Sequence, residues 1–326
     1  MLNIFKFKQI VMNTTYNHFK SKPLWQICAI LLLSLAWVQN AAAQLNITVT
    51  TGMIADLTEN IGGEDVQVTA LMGSGVDPHL YKATQGDLRR LTKADLVLYN
   101  GLHLEGKMQD IFDKIARKKP VYAVSDHIAE TRLIRHGAAH DPHIWFDVQL
   151  WIEAGKRITE VLVKQDPEHA KAYQQRAQNY LNKLAELDSW VQQQIQQIPQ
   201  QKRILITAHD AFGYFGKAYG LNVMGLQGIS TAAEFGLQDI KQLKDVIVAN
   251  HIHAVFVESS VSPRFIESLV KGVAAEGHQL NIGGELFSDA MGLAGTPQGT
   301  YIGMVRHNVD TIVGALKGQQ TAEGNP

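Results

Sequence analysis

The tripeptide Asp-Pro-His occurs twice in the chain, at Asp77-Pro78-His79 and at Asp141-Pro142-His143. A hydrophobic residue and then an aromatic follow each copy, Leu80-Tyr81 and Ile144-Trp145. Proline fixes its own φ and pushes the preceding residue towards extended geometry. Each histidine is therefore presented from a stiffened segment. Imidazole is the commonest side-chain ligand for transition metals. Either copy alone reads as an ordinary turn, but the pair points to a metal site assembled from distant parts of the chain.

The elements around these residues decide whether such a site can form. Asn46 to Thr51 is a short β-branched run, Met53 to Ile61 is amphipathic, and Val66 to Leu71 reads as a strand leading to the first Asp-Pro-His. Helices over Thr84 to Leu91 and Met108 to Ala116 alternate with strands over Leu96 to Asn100 and Val121 to Val124. This βαβα order predicts a parallel sheet with helices on its faces. From Glu168 to Ile198 there is neither Gly nor Pro, and Tyr173, Leu181, Leu184, Leu187, Val191 and Ile195 recur at mostly helical spacings. About 30 helical residues span ~45 Å, a length suited to a strut between two domains, with its glutamines on a solvated face. Beyond Pro199 the alternation resumes. Strands are expected at Arg203 to Thr207, Leu221 to Leu226, Ala254 to Val257 and Leu280 to Ile282, with helices at Gly236 to Ala249, Pro263 to Ala275 and Tyr301 to Leu316.

The expected fold class is thus α/β, with two parallel-sheet lobes joined by one long helix. The expected boundaries are residues 44–166 for the first lobe, 167–199 for the linking helix and 200–326 for the second. Ligands in such folds bind beyond the carboxyl ends of the strands. His79, His143, His209 and Asp289 all fall there, two from each lobe. Three imidazoles and a carboxylate suit Zn²⁺, and also Mn²⁺ if the carboxylate binds through both oxygens. A site filled by four side chains leaves little room for a catalytic water, which favours binding over chemistry. Ser288-Asp289 also fits a helix cap. His136 and His140 stand close in sequence to the second motif, either as an early metal catch or as part of a solvated loop. Glu258 is a candidate for orienting a ligand or for a hinge, and Trp145 and Phe146 for walling the cleft or filling the core. The remaining histidines, His169 among them, are assigned to the surface or to packing.

The first 43 residues read as a signal peptide. Lys6, Lys8, Lys20 and Lys22 precede an apolar run from Ile27 to Val38, and Ala41-Ala42-Ala43 supplies a cleavage site. The run is short for a membrane span. The only cysteine, Cys28, lies within it, preceded by Gln26-Ile27, which does not favour a lipid anchor. A cysteine-free mature chain must hold any metal with nitrogen and oxygen. Export without an anchor predicts a periplasmic location. The full chain has 326 residues and a formal net charge of −1, so nucleic acid is not an expected partner. Without the leader, 26 basic side chains face 31 acidic ones, a sign that mildly concentrates cations.

Gly75 to Tyr81, Lys93 to Leu102, Asp141 to Val148, His209 to Phe215, Val257 to Ser260 and Gly284 to Gly292, in this order, resemble the metal-binding proteins of bacterial zinc and manganese ABC importers, especially the TroA-type branch. The resemblance spans essentially the whole mature chain. It implies two (β/α)₄ lobes with a backbone helix, and His79, His143, His209 and Asp289 as metal ligands. Strongly manganese-type members carry a glutamate where His209 stands, and dedicated zinc members often carry a long His-rich loop where this chain has only Arg135 to His140. The implied function is a periplasmic receptor that binds Zn²⁺ or Mn²⁺ as cargo and delivers it, as a monomer, to an inner-membrane ABC permease with its cytoplasmic ATPase. A metal-dependent hydrolase using the same ligands and an adhesin are the competing classes. Neither a Gly-x-Ser-x-Gly elbow nor a His-Glu-x-x-His helix is present, so an enzyme is not expected.

Overall fold

The computed structural model describes residues 44–232 and 236–317. The expected signal peptide, with Cys28 and the cleavage site at Ala43, and the polar tail after Lys317 lie outside the described residues. The first lobe begins with β1 (Leu45–Val49), α1 (Gly52–Gly62), β2 (Val66–Ala70), α2 (Gln85–Lys93), β3 (Leu96–Tyr99), α3 (Gln109–Ala116) and β4 (Val121–Ala123). The four strands form one sheet in the order β2-β1-β3-β4, every pair parallel. Ile47, Val49, Leu96 and Leu98 are buried in its core. Helix α2 starts at a capping box: Thr84 Oγ1 accepts from Asp87 N, and the Asp87 carboxylate accepts from Thr84 N. The box satisfies two amide donors that a helix start otherwise leaves open.

The second lobe contains β7 (Ile204–His209), α6 (Gly213–Tyr219), β8 (Asn222–Gln227), α7 (Leu237–Ala249), β9 (Ala254–Glu258), α8 (Arg264–Ala274), β10 (Asn281–Leu286) and α9 (Tyr301–Lys317). Strands β7 and β8 pair in parallel, as do β9 and β10, and β7 lies against β9. The last strand runs longer than the expected Leu280 to Ile282. Gly283 and Gly284 carry it through a register shift between Ile282 and Gly284. Gly283 is needed there, since a Cβ would come within 2.8 Å of Ala315 and 2.9 Å of the Phe256 ring.

Between the lobes runs α5 (Ala170–Ile195), preceded by a 3₁₀ turn at Pro167–His169. It buries Tyr173, Ala177, Tyr180, Leu184, Leu187, Val191 and Ile195, while Gln192 and Gln193 are exposed. The expected strut is therefore present, five residues shorter than Glu168 to Ile198 and closely packed. It lies against α1 and α4 (Val148–Gln165) on one side and against α9 on the other. The sequence reading contains neither α4 nor α6. Nor does it contain the small antiparallel hairpin of β5 (Arg135–His136) and β6 (Ala139–His140).

Candidate metal centre

Both Asp-Pro-His copies fold into the same local turn. Asp77 Oδ1 accepts from His79 N at 2.8 Å, and Asp141 Oδ1 accepts from His143 N at 2.9 Å. An aspartate accepting from the amide two residues on is a recurrent turn-forming device. The second copy lies beyond β4, the last strand of the first lobe's sheet. The β5–β6 hairpin intervenes, and His143 opens a 3₁₀ turn at Ile144–Phe146. Its loop is pinned by Asn100 Nδ2 donating to Pro142 O at 2.9 Å and by Tyr214 OH donating to Asp141 O at 3.0 Å. His209 is the last residue of β7. Neighbouring Gly225 on β8 allows that close approach, because a Cβ there would sit 2.3 Å from Asp210 N. Asp289 follows β10 by three residues in a segment held by Asn308, whose side chain accepts from Phe287 N and donates to Phe287 O. Trp145 Nε1 donates to Ser288 O at 3.0 Å, so the second Asp-Pro-His segment also braces the aspartate.

The four side chains converge. His79, His143, His209 and Asp289 each offer a ligand atom, and these atoms lie within 4.8 Å of one another. His79 Nε2 and His143 Nε2 are 3.2 Å apart. Asp289 Oδ1 is 3.4 Å from His143 Nε2, and Oδ2 is 3.3 Å from His209 Nε2 and 3.7 Å from His79 Nε2. A tetrahedron whose corners lie ~2.0–2.1 Å from its centre, the usual Zn–N and Zn–O distances, has edges of ~3.4 Å. The spacing thus suits one ion, and each carboxylate oxygen faces an imidazole nitrogen, Oδ1 that of His143 and Oδ2 that of His209. His209 Nε2 and both Asp289 oxygens are buried without a hydrogen-bond partner. Groups of this kind are costly to bury unless something charged meets them.

Carboxylates behind the imidazoles set their tautomers. Asp141 Oδ1 lies 2.7 Å from His143 Nδ1, and Glu258 Oε2 lies 2.5 Å from His209 Nδ1. A proton on each Nδ1 leaves the Nε2 lone pair turned inwards, the usual orienting arrangement behind metal-binding histidines. Burial alone disfavours the His143 imidazolium, but Asp141 and Asp289 together outweigh it and push the group up to about 9. His209 is raised in the same way, against burial, by Glu258 and Asp289. His79 moves oppositely, to about 4, because burial outweighs the attraction of Asp289 and the other two histidines repel a third charge. Asp289 is held well below the usual carboxylate range, burial being overcome by His209 and His143.

All four expected residues are brought together. Asp289 is not a helix cap, since the next helix starts at Tyr301. His136 and His140 stay outside the cluster. They lie on the hairpin, where His140 Nε2 pairs with Glu130 at 2.7 Å. His169 pairs with Asp166 and Asp65 beside α5. Trp145 and Phe146 are buried, the Trp145 ring standing edge-on to His143 with centroids 5.2 Å apart. The residues missing from the sequence reading are Asp77 and Asp141 as acceptors, although the repetition of the aspartate itself is the signal that marks them. A groove of about 990 Å³ beside β10 and α9 touches none of the four.

A family model described as zinc-uptake complex component A, periplasmic (ZnuA), matches residues 47–315. The chain belongs to the ZnuA family. The manganese-binding lipoprotein MntA of Bacillus subtilis (strain 168) is 51% identical over 281 residues, covering 86% of this chain and 92% of that protein. The zinc-binding protein TroA of Treponema pallidum (strain Nichols) is also 51% identical, over 271 residues, covering 83% of this chain and 88% of that one. The solved periplasmic zinc binding protein TroA from Treponema pallidum matches with a TM-score of 0.83 at 49% identity, covering 84% of this chain and 99% of that chain. The expected resemblance to metal-binding proteins of ABC importers, and the α/β fold of two parallel-sheet lobes with a long helix, are both borne out. Relatives equally similar to this chain are named for different metals, so overall identity within the ZnuA family does not choose the cargo.

Proposed function

We propose that this chain is the receptor of an ABC metal importer, capturing Zn²⁺ or Mn²⁺ through His79, His143, His209 and Asp289 and passing it to an inner-membrane permease driven by a cytoplasmic ATPase. The observation that carries this reading is the convergence of three imidazole nitrogens and both Asp289 oxygens, three of these five atoms buried without a hydrogen-bond partner. The metal is cargo, not a catalytic cofactor. All four side chains are nearly sealed from solvent, which suits holding an ion better than turning over a substrate. A nitrogen-rich donor set favours Zn²⁺ over Mn²⁺ in direct competition, while availability in the cell also determines what is carried. The functional units are residues 44–166, 167–199 and 200–326, following a signal peptide over 1–43 cleaved near Ala43. The mature protein works as a periplasmic monomer with no nucleic-acid partner.

The test is elemental analysis of protein purified from its own periplasm, followed by titration of the metal-free form. One Zn²⁺ or Mn²⁺ per chain, recoverable by chelation without hydrolytic turnover, is expected. Stoichiometric binding that persists in a variant lacking both His143 and Asp289 would overturn the assignment, and metal-dependent turnover would favour the hydrolase.

A further inference from the structure

The two Asp-Pro-His copies fold alike but are fastened unequally. Around the second, His143 and Asp141 are fully buried, Tyr214 and Asn100 hold the loop, and Trp145 ties it to Ser288. Around the first, Gly73, Ser74 and Gly75 are exposed, and Leu80 is 45% exposed. His79 retains 6% exposure, while His143 and His209 retain 0% and Asp289 1%. No carboxylate among the described residues hydrogen-bonds its Nδ1. The side of the cluster nearest to solvent is therefore the side that His79 closes.

Among the described residues, one hydrogen bond fastens this loop to the opposite lobe. Thr231 Oγ1 donates to Asp77 Oδ2 at 2.6 Å, across 154 positions of sequence. The other oxygen of the same carboxylate, Oδ1, accepts from the His79 backbone amide. A single side chain thus joins the backbone of the candidate ligand to the second lobe. Moving the loop outwards as a unit, with its turn intact, breaks the Thr231 contact.

We propose that Thr231 is a positioning residue that latches the first Asp-Pro-His loop closed and thereby sets how fast a bound metal leaves. This rests on the receptor reading above and adds the exit side and the group that controls it. On this proposal the ion enters before the latch forms, so capture does not depend on it. Release requires the hydrogen bond to break first. The effect should fall on dissociation and not on association.

The test loads the full chain with Zn²⁺, mixes it with excess chelator in a stopped-flow instrument and follows release. Thr231→Val keeps the shape and removes the hydroxyl, while Thr231→Ser restores it. Losing a hydrogen bond to a carboxylate should speed release about tenfold or more, with association within about twofold of the parent and the melt of the metal-free protein unchanged. Thr231→Ser should release at the parental rate. A parental release rate in Thr231→Val, or a Ser variant as fast as the Val variant, would overturn the latch and leave the receptor reading standing. If the parent chain takes up no stoichiometric Zn²⁺, the receptor reading falls and the latch with it.

Discussion

Glu258 holds His209 at two points. Oε1 accepts from the backbone amide at 2.8 Å, and Oε2 faces Nδ1 at 2.5 Å. Both residues end a strand, His209 closing β7 and Glu258 closing β9, so the grip crosses from one strand pair of the second lobe to the other. The carboxylate fixes ring orientation and tautomer together. Glu258→Gln keeps the volume and removes the charge, and should weaken metal binding about 10–100-fold, the usual effect of losing such an orienting group. Titration against a competing chelator measures it. An unchanged Kd would mean that His209 is positioned by packing alone.

Protons compete with metal at this centre, and the sign follows from the shifts. His143 is raised to about 9 from an ordinary 6.5. In the metal-free protein its imidazolium contributes stability that is fully present below pH 6.5 and lost as pH rises through about 9. Asp289 is depressed from 3.8, so its contribution is present above that value and lost as pH falls through its lowered pKa. Between these limits the His143–Asp289 ion pair supports the metal-free cluster. Metal must displace those protons, so affinity should climb from pH 6 to 9, with proton release visible as buffer-dependent heat in calorimetry. Affinity that falls over this range would contradict the charge states described here.

Removing the metal should soften the fold. An ion that binds only the folded chain stabilises it by ~4 kcal/mol at a thousandfold excess over Kd. Chelation should lower the melting temperature, and Zn²⁺ or Mn²⁺ should restore it. His79→Ala and His209→Ala should abolish most of that rescue. His169→Ala should leave it intact, since His169 pairs with Asp166 away from the cluster. A melt indifferent to chelator and metal would remove the basis for this expectation.

Selectivity should follow donor type. The nitrogen-rich set predicts that Zn²⁺ displaces Mn²⁺ at equal concentration. Replacing His209 with glutamate adds a harder donor, but the new carboxylate would meet Glu258 in a sealed environment. The single variant His209→Glu should therefore lose affinity for both metals. His209→Glu combined with Glu258→Gln should recover binding and narrow the gap between zinc and manganese. Competition titrations of parent, single and double variants decide it. Manganese displacing zinc from the parent would defeat the argument.

The sequence makes most of the site legible because its stiffest parts are local. Proline and aspartate build both Asp-Pro-His turns within a few residues, and β-branched runs mark the strands that precede them. Helix α4 is a different case. Leu150, Trp151, Ala154, Ile158, Val161 and Leu162 are buried at helical spacing, and Asp147 caps the start by accepting from Gln149 N and Leu150 N. Its pattern is masked because the aromatic cluster Trp145-Phe146 runs directly into it. The length of β10 is hidden for another reason. Gly283 and Gly284 read as a strand end, whereas they continue the strand under α9, and that close packing is a tertiary fact with no local signature. The pairing of Asp77 with Thr231 is likewise invisible in sequence, since nothing short-range joins positions 154 residues apart.

The convergent donors are nitrogen and oxygen alone, and the chain's one cysteine, Cys28, precedes the described residues. Thiolate centres lose their metal when peroxide converts the sulfur to sulfenic or higher acids. Imidazole and carboxylate offer peroxide no such route while they hold a redox-inert ion such as zinc. A cell under oxidative attack would keep this uptake step working while sulfur-based metal carriers fail, and the receptor could go on supplying metal to damaged enzymes when demand is highest.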